Sequence, residues 1–431
     1  MLTASIGFVA AFALIFFGIP IALSLFVVGL GGIWILVGYS PSLSMTAIVA
    51  RETTMSYSLT VIPLFLLMGN FISGSGIASD LFRAAQATVG RRRGGLAMAT
   101  VIASGGFAAV CGSSVATAVT MGKVALPDMR KYNYSDSLAT ASIAAGGTLG
   151  ILIPPSVVMI IYGILTESHI GRLFAAGIVP GVLAVLGYMA AVQFTIWRNP
   201  DAAPVPTAEQ AAEVASGGRK VWPVLLLFLI VLGGIYGGIF TATEAAGIGA
   251  TGALAFGLWR RALPFRKIVA ILIDTAETTA TLFAMVIGAT LFAQFMNYTG
   301  VHEGLVYLVS EANLAPWAVV AAVLLVYLLL GCVLDSLSMI LLTIPVIFPV
   351  IMSLGFDPIW FGILVVMMVE LGLITPPMGV NLFVIKSVAE NTKLLDVIRG
   401  IVPFVAVDVI RVLIIALIPA LTLWLPNLFF G

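Results

Sequence analysis

GTLGILIPPSV (147 to 157) and ELGLITPPMGV (370 to 380) decide the fold. Each lies in an apolar run suited to a membrane-crossing helix. Each also carries a Pro-Pro pair, which removes two backbone donors and clashes with the turn before it. Both helices are therefore expected to break inside the membrane. A break frees carbonyl oxygens for a monovalent cation and turns a half-helix N-terminus towards an anionic group. The plain alternative is a kink, but two such pairs at matched positions favour a functional break.

The match extends beyond the prolines. Pro154-Pro155 and Pro376-Pro377 stand 222 residues apart, as do Pro127 and Pro349, and Gly177-Ile178-Val179-Pro180 returns as Gly400-Ile401-Val402-Pro403 at an offset of 223. The chain reads as a two-fold repeat, residues 1–198 and 221–431. The Pro- and Ala-rich stretch 199–220 between them is expected to be a cytoplasmic linker.

Composition gives the setting. Of 431 residues 61% are hydrophobic and 9% charged, against about 25% charged in soluble domains, and the mean hydropathy is +1.16. An all-α polytopic membrane protein follows. A net charge of +1 leaves no basic face for nucleic acid. Cys111 and Cys332 make no disulfide framework, and His169 and His302 make no histidine metal site. Met1 runs into apolar sequence without a basic leader region or small-residue cleavage site, so the N-terminus is expected to be a first helix.

Spans are expected at 2–18, 20–38 and 60–81, an interrupted span at 136–165, and a span at 172–196. An odd number of crossings per half makes the repeat inverted. With Arg91, Arg92 and Arg93 in the cytoplasm, all the basic residues except Arg51, Arg172 and Arg411 fall on that side. That predicts ten crossings with both termini outside. Segments 42–57 and 264–281 mix charge with apolar residues and read as helices lying along the interface, scaffold parts with 1–57 and 221–281.

Two segments do not fit a simple crossing. Residues 95–127 are apolar but have basic flanks at both ends, so they must enter and return, with Cys111-Gly112-Ser113-Ser114 at the turn and arms too short to span. Their counterpart, 314–350, turns at Leu334-Asp335-Ser336-Leu337-Ser338 and enters from the opposite face. These re-entrant hairpins, with the broken helices 136–165 and 358–388, mark the candidate site, because irregular backbone at membrane depth is tolerated only when buried or lining a polar cavity.

Ser113, Ser114, Thr117, Asp335, Ser336 and Ser338 bring hydroxyl and carboxylate oxygen to the two turns. Asp335 is a costly carboxylate in an apolar hairpin, and is either functional, or at a tip that sits in water, or capping the following helix. Thr148 and Ser156 flank the first break, Thr375 and Asn381 the second. Thr117, Ser156, Ser338 and Asn381 are the substrate-binding candidates. Glu370 is either a coupling carboxylate, for a proton or sodium, or a buried acid paired with a backbone amide or with a basic residue. Asp408 and Arg411 are spaced to neutralise one another, and Thr241 and Glu244 to form a capping box.

GGTLGILIPPS (146–156), ELGLITPPMGVNLFV (370–384), CGSSVATA (111–118) and GCVLDSLSMILLTIPVIFP (331–349), in this order, resemble the large membrane subunit of tripartite ATP-independent periplasmic (TRAP) transporters. The resemblance implies a sodium-driven importer of small organic acids in a bacterial inner membrane. A transport domain made of the hairpins and broken helices would slide as an elevator against a scaffold. It further implies two partners, a small four-helix membrane subunit and a soluble periplasmic binding protein. It implies no cofactor, with Na+ as the coupling ion. By resemblance the sodium sites fall at Ser113, Ser114, Gly147, Pro154, Asp335, Thr375 and Gly379. Remaining alternatives are a carrier that needs no binding protein, a passive channel, and an intramembrane enzyme using Asp335 and Glu370.

Overall fold

A computed structural model describes residues 2–205, 222–312 and 314–431. Twenty α-helices and two short 3-10 turns make up the secondary structure of the described residues. In the first half these are α1 (Leu2–Phe16), α2 (Ile21–Val37), α3 (Tyr39–Met55), α4 (Val61–Gly74), α5 (Ile77–Val89), α6 (Gly95–Cys111), α7 (Ser114–Lys131), α8 (Asp136–Leu152), α9 (Val157–Leu165) and α10 (Ile170–Arg198). The second half has α11 (Trp222–Tyr236), α12 (Ala242–Trp259), α13 (Phe265–Tyr298), α14 (Val301–Glu311), α15 (Pro316–Gly331), α16 (Ser336–Ser353), α17 (Pro358–Ile374), α18 (Val380–Val388), α19 (Leu394–Leu417) and α20 (Ala420–Phe430).

Helix boundaries follow local chemistry. Side-chain oxygens of Ser113, Ser135 and Ser156 cap α7, α8 and α9, and those of Asp335 and Asp357 cap α16 and α17. Thr241 and Glu244 form the expected capping box at α12. Both Pro-Pro stretches interrupt their helices, α8 from α9 and α17 from α18, and both Pro-Pro bonds are cis.

The two broken helices run antiparallel through the middle. Near the start of α8, Ser137 Oγ donates to Asp396 O at 2.9 Å, beyond the end of α18. At the far end of α9, the Tyr162 hydroxyl donates to Pro358 O at 2.7 Å, where α17 begins. Every residue of α8 from Leu138 to Leu152 and of α17 from Ile359 to Ile374 is buried. Helices apolar all round belong at the centre of a bundle, and α6, α7, α10, α15, α16 and α19 pack around these two. α4 packs on α12, and α2 on α13.

Several expectations need revision. The span 60–81 is two helices, α4 and α5, separated at Ser75-Gly76, where Gly76 has φ 78°. The expected surface segment 42–57 is α3, joined to α4 with a bend of 56°. Its counterpart 264–281 is no separate helix but the first half of the 34-residue α13. The hairpin arms are longer than expected. They hold 17 and 18 residues in α6 and α7, and 16 and 18 in α15 and α16. By length and composition α16 alone is sufficient to cross a bilayer.

Five spans among the described residues pass that test, the broken α8–α9 counting as one, or six with the bent α3–α4 pair, against ten expected crossings. Seven further helices, including α1, α2, α15 and α17, are apolar but only 10–17 residues long. Residues 199–205 are not a free linker. Arg93 donates to Pro200 O at 2.5 Å and Ala203 O at 3.0 Å, and Ser135 N donates to Ala202 O at 3.0 Å. Ala202 and Ala203 are buried. The rest of the expected linker, with Arg219 and Lys220, lies outside the described residues.

Candidate functional site

The first hairpin turns at Gly112, whose φ of 64° is the left-handed conformation that glycine adopts without cost. Ser113 follows as the N-cap of α7, its hydroxyl accepting from Ala116 N at 3.4 Å. Its carbonyl accepts both the Thr117 amide at 3.1 Å and the Thr117 hydroxyl at 2.7 Å. The turn rests on the first break. A Cβ added at Gly150 would lie 2.5 Å from Ser113 O, and one added at Gly112 would lie 2.9 Å from Pro155 O. Both glycines are thus needed for backbone to meet backbone.

Asn381, from the second break, reaches this first site. Its amide nitrogen donates to Ala144 O at 3.2 Å and lies 3.1 Å from where a Cβ on Gly147 would stand. Asn381 is fully buried, and its Oδ1 has no hydrogen-bond partner. α18 packs on α7 and α8 of the first half, and in return α9 packs on α16 of the second. The structure therefore gathers Ser113, Thr117, Gly147 and Asn381 around one place, where Pro155, the neighbour of Pro154, meets the turn, with Ser114 buried at the start of α7.

At the second hairpin, Asp335 caps α16, accepting from Leu337 N at 3.1 Å and Ser338 N at 3.4 Å. The Ser338 hydroxyl donates to its other oxygen. The capping alternative for Asp335 is thus realised. This hairpin leans on α17 where Gly331 meets Gly372, a Cβ on Gly372 falling 2.6 Å from Gly331. Thr375 ends α17 one turn later, donating to Leu371 O at 2.6 Å, and Gly379 begins the next half-helix with its amide on Thr375 O at 3.1 Å. Ser156 is engaged within its own break, donating to Ile151 O at 2.5 Å and accepting from Met159 N at 3.4 Å. Most candidate hydroxyls are thus spent locally, and the Asn381 carbonyl is the acceptor left over.

Glu370 belongs to neither turn. Arg411 Nη2 lies 2.5 Å from Glu370 Oε2 and 2.7 Å from Asp408 Oδ1, with all three side chains buried. The Tyr188 hydroxyl donates to Asp408 Oδ2 at 2.7 Å, and the Thr148 hydroxyl to Glu370 Oε1 at 3.0 Å. The pairing alternative for Glu370 is what the fold adopts, with Arg411 as the base. Tyr188 went unnoticed in the sequence, although the repeat offsets carried the signal. They set Thr148 opposite Glu370 and Tyr188 opposite Arg411, a neutral pair matched to a charged one.

The family described as "Tripartite ATP-independent periplasmic transporter, DctM component" matches residues 8–421. The C4-dicarboxylate TRAP transporter large permease protein DctM of Pseudomonas aeruginosa is 38% identical, over 93% of this chain and 93% of its own. The sialic acid TRAP transporter large permease protein SiaM of Vibrio cholerae is 31% identical, over 97% of each. The isethionate TRAP transporter permease protein DctMQ of Oleidesulfovibrio alaskensis is also 31% identical, and the match takes up 97% of this chain but 65% of that protein. Among solved structures, the YdaH transporter of Alcanivorax borkumensis has a TM-score of 0.59 at 15% identity, covering 88% of this chain and 89% of its own, a likeness of fold. The chain is therefore an integral membrane protein and not an enzyme, and it belongs to the DctM family, the large permease component of TRAP transporters.

Proposed function

We propose that this permease imports a small organic acid, such as a C4-dicarboxylate, keto acid or sugar acid, in symport with Na+ across a bacterial inner membrane. A soluble periplasmic binding protein delivers the acid, and a small four-helix membrane subunit packs against the scaffold. The relatives' names point to acids of this kind, C4-dicarboxylates, sialic acid and isethionate. The DctMQ relative, longer than this chain, supports the second membrane component.

The observation that carries the reading is the meeting of a hairpin turn, a broken helix and the buried, unpartnered Oδ1 of Asn381. An oxygen acceptor held in an apolar interior without a donor suits a hard cation or a hydrogen-bonding cargo. Ser113, Ser114, Gly147 and Pro154 on one side, and Asp335, Thr375 and Gly379 on the other, are the proposed sodium positions. Thr117, Ser156, Ser338 and Asn381 are the proposed contacts to the acid. The hairpins and broken helices form the moving unit, which works by elevator alternating access against the remaining helices. The antiparallel run of α8–α9 and α17–α18 supports the inverted relation that such a carrier uses.

Radiolabelled succinate uptake into proteoliposomes containing both membrane subunits and the binding protein tests this. Uptake should require an inward sodium gradient. Uptake that persists with choline in place of sodium would remove the coupling, and uptake by this chain without a binding protein would establish a self-sufficient carrier. Asp335→Asn keeps the cap, since Asn caps as well as Asp. It should abolish sodium-dependent uptake at an unchanged thermal midpoint, and normal uptake would take Asp335 out of the site.

A further inference from the structure

We infer that the pocket between the start of α11 and the basic end of α12 holds the headgroup of an anionic phospholipid. Trp222 opens α11 and Trp259 closes α12. With Pro223, Phe256 and Arg260 they line a cavity of about 420 Å³. That volume lies within the range of ordinary ligand pockets. Both tryptophans are exposed, at 59% and 70%, as indole rings are when they sit at headgroup level.

Arg260 is the charged lining group. Its Nη1 lies 2.5 Å from Asp80 Oδ2, and its guanidinium lies 5.5 Å from the centre of the Phe256 ring. A guanidinium carries five N–H donors in a rigid plane, so the contact through Nη1 orients the group while leaving donors for a phosphate oxygen. Positioned in advance, it loses little further entropy on binding. Arg83, Arg261, Arg266 and Lys267 lie on the neighbouring stretches 74–90 and 256–270, where Asp80 is the only acid. Lys267 donates to Gly74 O at 2.6 Å, tying the two stretches together.

The first half provides a contrast. At the corresponding end of α2, Trp34 and Tyr39 form an edge-to-face pair at 5.4 Å, yet residues 1–50 contain no lysine or arginine. The aromatic frame is repeated, whereas the charge occurs only at the end assigned to the cytoplasm, where basic pockets between helices meet anionic headgroups. Three aromatic rings and a proline are poor partners for a free inorganic anion. They suit the glycerol and first methylenes of a lipid, with the phosphate on Arg260.

The test places the full-length protein in phosphatidylcholine vesicles containing a minor fraction of brominated phosphatidylglycerol or brominated phosphatidylcholine, and reads tryptophan quenching. Brominated phosphatidylglycerol should quench more strongly. The Trp222→Phe, Trp259→Phe double variant should lose that excess. Arg260→Gln should reduce the preference about fivefold, the share of one basic residue at a membrane surface. Because Arg260→Gln also breaks the bridge to Asp80, Asp80→Asn serves as the second variant. It keeps the guanidinium, and the preference should be retained or raised. Equal quenching by the two lipids, an unchanged preference in Arg260→Gln, or a preference lost in Asp80→Asn would overturn the inference. Displacement of the brominated lipid by inorganic phosphate would do so as well, by showing a small-anion site.

Discussion

Arg411 donates from a single nitrogen to Glu370 at 2.5 Å and Asp408 at 2.7 Å, so two buried acids share one base. Tyr188 and Thr148 supply hydroxyl donors to the acids, and with them the cluster joins α8, α10, α17 and α19. A buried ion pair contributes little over a well-packed apolar substitute, but removing one partner leaves bare charge in the interior. Arg411→Met alone should therefore destabilise the protein by about 3–5 kcal/mol, read as a lowered thermal midpoint in detergent. Neutralising the acids as well, with Glu370→Gln and Asp408→Asn, should restore most of the loss. If the triple variant melts as low as the single one, the cluster does not act through its charge balance. The Asp408–Arg411 half was legible from its spacing of three. Glu370 was legible only as an alternative, because its partner lies 41 residues away on another helix.

Among elements, the broken helices were the most legible, since Pro-Pro dictates a break wherever it falls in a helix. Segments 136–165 and 358–388 match the observed ends of α8–α9 and α17–α18. The hairpins were legible as pairs but not in length, because a helix continues past the last apolar residue when caps and packing support it. α7 runs on to Lys131. The two halves also diverge in shape where sequence suggested sameness, α3–α4 being bent and α13 continuous. What the hairpins need is close approach. Gly150 and Gly372, 222 residues apart, each meet a hairpin backbone at a distance that leaves no room for a methyl group. Gly150→Ala and Gly372→Ala should each destabilise by about 1–3 kcal/mol through overpacking and reduce uptake. Full stability and uptake in both variants would show that the contacts are incidental.

At the scale of the molecule, each half closes on the other. α18 lies on α7 and α8, while α9 lies on α16, so neither half could form its site alone. Asp335 caps its own helix while Glu370 is held by Arg411, which leaves no carboxylate pair for the enzymatic alternative. The first hairpin also approaches α4 closely, a Cβ on Gly69 falling 2.9 Å from Cys111 O. Gly69→Ala should therefore slow uptake by overfilling the contact between α4 and the turn. Full uptake in this variant would show that the transport step does not depend on that close approach.

Sequence alone determined the membrane setting, the breaks, the repeat and the family, because each depends on composition or on residues close together along the chain. Apolar length and proline act locally, and a fixed offset is visible without folding. Only the tertiary structure decided which polar groups are spent and which are free. Ser156 and Thr375 satisfy themselves within a turn, Glu370 finds Arg411, and Asn381 crosses to the other half with one oxygen unpaired. The outcomes for Glu370 and Asn381 rest on contacts between residues distant in sequence, where burial makes every unpaired polar group costly and packing alone settles which partners are within reach.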